Sequence, residues 1–152
     1  MRLILSVSVG FLFLLLGSCS KDKIVKTRYY SYELNPAYNG NHPTTGLTAN
    51  VYVKDVSIAL EFLCDMTGSL DSNTYTLRIH EYDASAQYGY NPIATYDLGS
   101  IVNNTPKNTS ISSTDFASFT EDFKGYFIIQ DPKNPSNDTS TLLIFGKIGS
   151  EW

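Results

Sequence analysis

Residues 77–99 read LRIHEYDASAQYGYNPIATYDLG. The stretch opens as a strand: in TYTLRIHEY, residues 74–82, side chains alternate between two faces. Tyr75, Leu77, Ile79 and Glu81 share one face, and Thr76, Arg78, His80 and Tyr82 share the other. Leu77 and Ile79 mark the core face, so Arg78 and His80 point outward, beneath whatever loop covers that side. DASAQYGYNP follows, rich in residues that favour turns over ladders, and then a short second apolar run, IATYD. Strand, loop and strand in so short a space point to an all-β chain.

The rest of the chain repeats this grammar. There are 11 Tyr and 8 Phe among 152 residues, with many Val, Ile and Thr, and no helical pattern of useful length. The spacing predicts strands over 25–34, 47–54, 56–64, 74–82, 93–97, 116–120, 126–130 and 141–147. The segment 102–115, VNNTPKNTSISSTD, reads as a long exposed loop. About eight short antiparallel strands separated by Gly, Pro, Asn and Ser clusters predict a sandwich or a flattened barrel. The length fits one domain.

The first residues stand apart. Met1-Arg2 is a short positive start, residues 3–16 are apolar, and Gly17-Ser18 precede Cys19. This predicts a signal peptide over 1–18. LGSC resembles the bacterial lipoprotein signal, in which the cysteine becomes the lipidated first residue of the mature protein. Lipid on Cys19 would tie the protein to the membrane, with 19–24 as a polar tether and 25–152 as the domain. The expected location is the bacterial outer membrane or cell envelope, with surface display compatible with the tether. The formal net charge is −4 and there is no basic run, so nucleic acid lacks an electrostatic footprint. Of the two cysteines, Cys19 is assigned to lipid and Cys64, in EFLC, to the core as an inert thiol.

Several short motifs then fall in a telling order: RIHE at 78–81, GYNP at 89–92, DLG at 97–99, IIQD at 128–131 and TLLIFGKIG at 141–149, with TGSL at 67–70 upstream. Together they resemble Cu/Zn superoxide dismutase over residues 46–149. That family carries His-Val-His-Glu on a strand, His-Phe-Asn-Pro in the loop, then Asp-Leu-Gly, and later Val-Val-His-Glu. The resemblance implies a Greek-key β-sandwich and places the copper histidines at Arg78, His80 and Gln130. The bridging histidine falls at Gly89 and another zinc histidine near Ala94. The zinc aspartate falls at Asp97, the anion-guiding arginine at Leu142 and a disulfide cysteine at Phe145. His80 and Asp97 are the metal positions that survive, and the resemblance implies that they lie near each other.

Copper that changes oxidation state needs several imidazoles held rigidly, and the chain has two histidines, His42 and His80. Arg78 adds a fixed cation on the face of His80, roughly 7 Å along the strand. The sequence therefore predicts a scaffold without the copper-ligand set of an active enzyme. The leading expectation is a binding or structural module of the envelope. The alternatives are a metalloprotein that binds copper or zinc weakly through His80 and Asp97, and a dismutase with an unforeseen site. No phosphate loop, CxxC, HExxH or nucleophile elbow occurs. Tyr38, Tyr88 and Tyr90, in turn-rich segments, are read as exposed and as a surface for an envelope protein or glycan.

Overall fold

The computed structural model describes residues 25–40, 46–68 and 74–152. The expected signal and tether, with Cys19, and also His42, Ser69 and Leu70, lie outside the described residues.

Eight strands are formed: β1 (Thr27–Glu33), β2 (Thr48–Asp55), β3 (Leu60–Thr67), β4 (Thr74–Glu81), β5 (Tyr96–Val102), β6 (Lys107–Ile111), β7 (Lys124–Gln130) and β8 (Leu142–Gly149). They build two antiparallel sheets of four, in the orders β1-β2-β3-β6 and β5-β4-β7-β8. The chain is an all-β sandwich.

Alternation explains the layering. In β2, Ala49, Val51 and Val53 are buried while Asn50, Tyr52 and Lys54 are not; β3 buries Leu60, Phe62, Cys64 and Met66 at every second position. From the other sheet, Tyr75, Leu77 and Ile79 of β4 and Phe127 and Ile129 of β7 face them. Phe119 closes the middle, edge-on to Phe62 at 5.2 Å. Each such side chain is worth about 1.5–3 kcal/mol in transfer free energy, so this interior holds the sheets together without a disulfide. Cys64 is free and buried here, and burial pushes its thiol up to about 12, with Asp65 adding to the shift.

Side chains close both open edges. Tyr30 and Tyr32 of β1 donate to the carbonyls of Gly149 and Lys147 on β8, each at 2.9 Å. Asn35 donates to the carbonyls of Thr139 and Leu142. At the opposite edge Thr109 of β6 donates to the carbonyl of Leu98 on β5 at 2.6 Å.

Four sequence expectations need correction. Residues 116–120 do not form a strand. Asp115 accepts from the Ser118 amide and hydroxyl, each at 2.9 Å, and this local capping winds Ser118–Asp122 into one π-helical turn. The loop expected over 102–115 contains β6. An edge strand has one partner, here β3, and its outward Asn108 and Ser110 gave it the composition of a loop. The strands expected at 56–64 and 93–97 begin later, at Leu60 and Tyr96. A tight turn intervenes in the first case, with the Val56 amide donating to the Ala59 carbonyl.

Candidate functional site

The site-bearing surface is the outer face of the second sheet. β4 turns Arg78 and His80 to this side, β7 turns Tyr126, Ile128 and Gln130, and β8 brings Leu142 and Phe145. A bare outer face would be polar. Here Ile128 and Leu142 are 2% and 0% exposed, because Tyr90 from the β4–β5 loop packs over them and is itself 2% exposed. Tyr88, Tyr126 and Phe145 flank this second apolar cluster.

The roof is held by its own hydrogen bonds. Asp83 accepts from the amide and hydroxyl of Ser85, which fixes the first turn. The Asp83 amide donates to the Gly89 carbonyl, and Gly89 takes φ +76°, a region that costs glycine little. The Asn91 amide donates to the Glu81 carbonyl, and the Thr95 amide to the Ile79 carbonyl. Tyr90 then donates to the Asn137 carbonyl at 2.6 Å, which joins this loop to the one between β7 and β8. Tyr90, expected to be exposed, is the buried anchor of the roof. Burial pushes its phenol up to about 12, with smaller contributions from Tyr88 and Asp138.

His80 lies under this roof, 3% exposed, and meets the Tyr90 ring edge-on at 5.2 Å. Its Nδ1 is 2.8 Å from the Asn91 carbonyl oxygen. A carbonyl only accepts, so Nδ1 carries the proton and Nε2 keeps the lone pair. Burial holds the imidazole pKa below 6.5; the Asn91 carbonyl opposes that shift and the Arg78 charge reinforces it. His80 is therefore neutral near pH 7, and its Nε2 has no hydrogen-bond partner among the described residues.

Asp97 stands opposite Arg78 in the β4–β5 ladder, on the same side of the sheet and two positions from His80 along the strand. It is exposed, and its carboxylate accepts from the Gly99 amide at 2.8 Å, spanning the irregularity in the β4–β5 register. Arg78 donates to Gln130 at 3.2 Å. Gln130 in turn donates to the carbonyl of Ser136 at 3.0 Å and the amide oxygen of Asn137 at 3.2 Å. The positions that the resemblance gives to copper histidines thus meet one another, but they meet as a cation–amide pair beside one imidazole. These donors do not fit a copper ion: the guanidinium offers only protons and a positive charge. Among the described residues no three His, Cys, Asp or Glu side chains come together. The guide-arginine position, Leu142, is apolar cluster.

Sequence reasoning missed the roof. The signal was present in YFIIQ and TLLIF, where apolar residues stand at successive positions. A strand apolar on both faces is covered on both faces. Asn137 gave no comparable signal, since its role depends on which loop it meets.

Comparison with family models, with curated proteins and with solved structures gave no match for this chain.

Proposed function

We propose that the chain is a cell-envelope lipoprotein, anchored through lipid on Cys19. Its domain is a Greek-key sandwich similar to Cu/Zn superoxide dismutase, and it serves as a non-catalytic binding or structural module. The fold part of this reading is supported by strand neighbours. Around the two sheets, with Thr109 of β6 bonded to Leu98 of β5, the order runs β7-β4-β5-β6. A fourth strand beside the first of three consecutive ones is the neighbour order that a Greek key requires, and it supports this reading.

The observation that carries the functional part is the hydrogen bond from Arg78 to Gln130, next to His80. Two residues far apart in sequence, both at copper-histidine positions by motif order, are neighbours on one face. Their chemistry is that of a scaffold whose metal positions have been rewired to hold loops. A second reading, weak copper or zinc binding, draws on the unpartnered Nε2 of His80, with Asp97 two positions away along the face.

Metal counting separates the two. The full chain and its His80→Ala variant are loaded with copper and zinc, dialysed, and assayed by mass spectrometry. The module reading expects substoichiometric metal in both. One equivalent held by the wild type and lost in His80→Ala supports the metalloprotein instead.

A further inference from the structure

The two joined loops leave a pocket of about 350 Å³, lined by Ala86, Gln87, Tyr88, Tyr90, Pro92 and Asn137. We infer that this pocket binds a neutral saccharide, with the sugar ring against Tyr88 and its hydroxyls at the rim amides of Gln87 and Asn137. The inference deepens the binding-module reading and rests on it. The two fail separately, because metal counting addresses the rewired face and sugar binding addresses only this pocket.

The lining decides the ligand class. Tyr88 is the half-buried ring of the lining, and Tyr90, almost fully buried, backs it with ring centroids 6.5 Å apart, so Tyr88 supplies the aromatic surface. One face of a pyranose is a patch of C–H groups, which suits the negative face of an aromatic ring. The edge of a pyranose is a rim of hydroxyls that both donate and accept. Amides answer that pattern, since each carries donors and an acceptor on one plane. Gln87 is exposed, and its side chain has no partner among the described residues. Asn137 uses its oxygen to accept from Gln130, and its NH₂ remains available.

No lining residue carries a charge. Asp138, which follows the lining residue Asn137 in the chain, is an acid, and its charge disfavours anionic sugars. The volume lies at the small end of ligand pockets, the size of one or two sugar rings. The walls are pre-built: Tyr90 is pinned to the Asn137 carbonyl, Gln130 to Ser136 and Asn137, and the 83–89 turn to itself. A pocket that need not be ordered on binding loses less affinity.

The test uses the full chain in a detergent without a sugar headgroup. Saturation-transfer NMR is run against maltose, cellobiose, lactose and diacetylchitobiose, with a digalacturonate and a tetraproline peptide for comparison. At least one neutral disaccharide is expected to bind with Kd of about 1 mM or tighter. Tyr88→Ala should weaken it about tenfold, the equivalent of one lost stacking contact, and Gln87→Ala by about threefold. Gln87 is exposed, so its variant carries the test should Tyr88→Ala fail to fold. The inference is overturned if no neutral sugar receives saturation, if only the acidic sugar or the peptide does, or if folded Tyr88→Ala binds as the wild type.

Discussion

The outer faces of the two sheets meet their surroundings differently. On the first sheet, outward residues pair across strands and stay wet. Tyr29 and Ser31 donate to Asn50 at 2.7 and 2.9 Å, Asn50 donates to Asp65 at 2.8 Å, and Thr48 meets Thr67 at 2.6 Å. Such exposed cross-strand pairs are worth about 0.2–1 kcal/mol each. On the second sheet the equivalent positions hold Ile128 and Leu142, sealed beneath Tyr90, with His80 at their side. A sandwich needs only its inner faces to fold. Apolar residues on the second outer face therefore form a second, smaller interior, and the loops that cover that face line the pocket.

Substitution should expose the contrast. Leu142→Arg places a guanidinium in the apolar cluster under Tyr90 and should cost about 4 kcal/mol or more in urea unfolding. Tyr29→Arg, on the wet face, loses only exposed cross-strand contacts and should cost about 1 kcal/mol or less. Equal effects would mean that the roof contributes nothing to folding and that the two faces are alike.

Tyr90→Phe is gentler. It removes the hydroxyl bonded to the Asn137 carbonyl and keeps the ring, so a loss of about 1 kcal/mol is expected. Hydrogen exchange should quicken in 83–95 and 131–141 together and stay unchanged in β2 and β3. Faster exchange in one loop alone would show that Tyr90 does not join them.

The smallest effect concerns pH. The folded pKa of His80 lies below 6.5, chiefly through burial, while the unfolded chain keeps the ordinary value. Below pH 6.5 the unfolded chain takes up a proton that the folded chain resists. Stability is fully present above that pH and declines as pH falls toward the folded value. The carboxylates held low by Ser85, Ser118 and Ser140, namely Asp83, Asp115 and Asp138, act only near pH 3.8 and below. Thermal melts should therefore drop as pH falls below 6.5, and the drop should be absent in His80→Asn. A slope that survives the substitution assigns it elsewhere.

How much of this was legible in the sequence depends on the range of the interactions. Alternation in TYTLRIHEY gave the inward set Tyr75, Leu77 and Ile79 because burial on a strand has period two. The local bond of Asp97 was readable, since its carboxylate accepts from an amide two residues away, although these residues lie within β5 and not in a turn. β6 was not, because an edge strand with polar outward positions has the composition of a loop and is defined by its partner β3. The π-helical turn at Ser118 was missed because capping by Asp115 outweighed the β propensity of its phenylalanines. The roof was the largest loss. Tyr90 lies among turn-formers, and its burial depends on where Ile128 and Leu142 arrive from the far end of the chain.

The most direct test of the proposed scaffold is to put imidazoles back. In the double variant Arg78→His/Gln130→His, the motif order brings three histidines together with His80 on one face, and the cation is gone. Copper titration of the full chain, followed by electron paramagnetic resonance, should show one equivalent bound through nitrogen and at least about a hundredfold tighter than in the wild type, about 2.7 kcal/mol. A variant that melts as the wild type does and gains no copper affinity would contradict the assignment of these positions to an ancestral metal face.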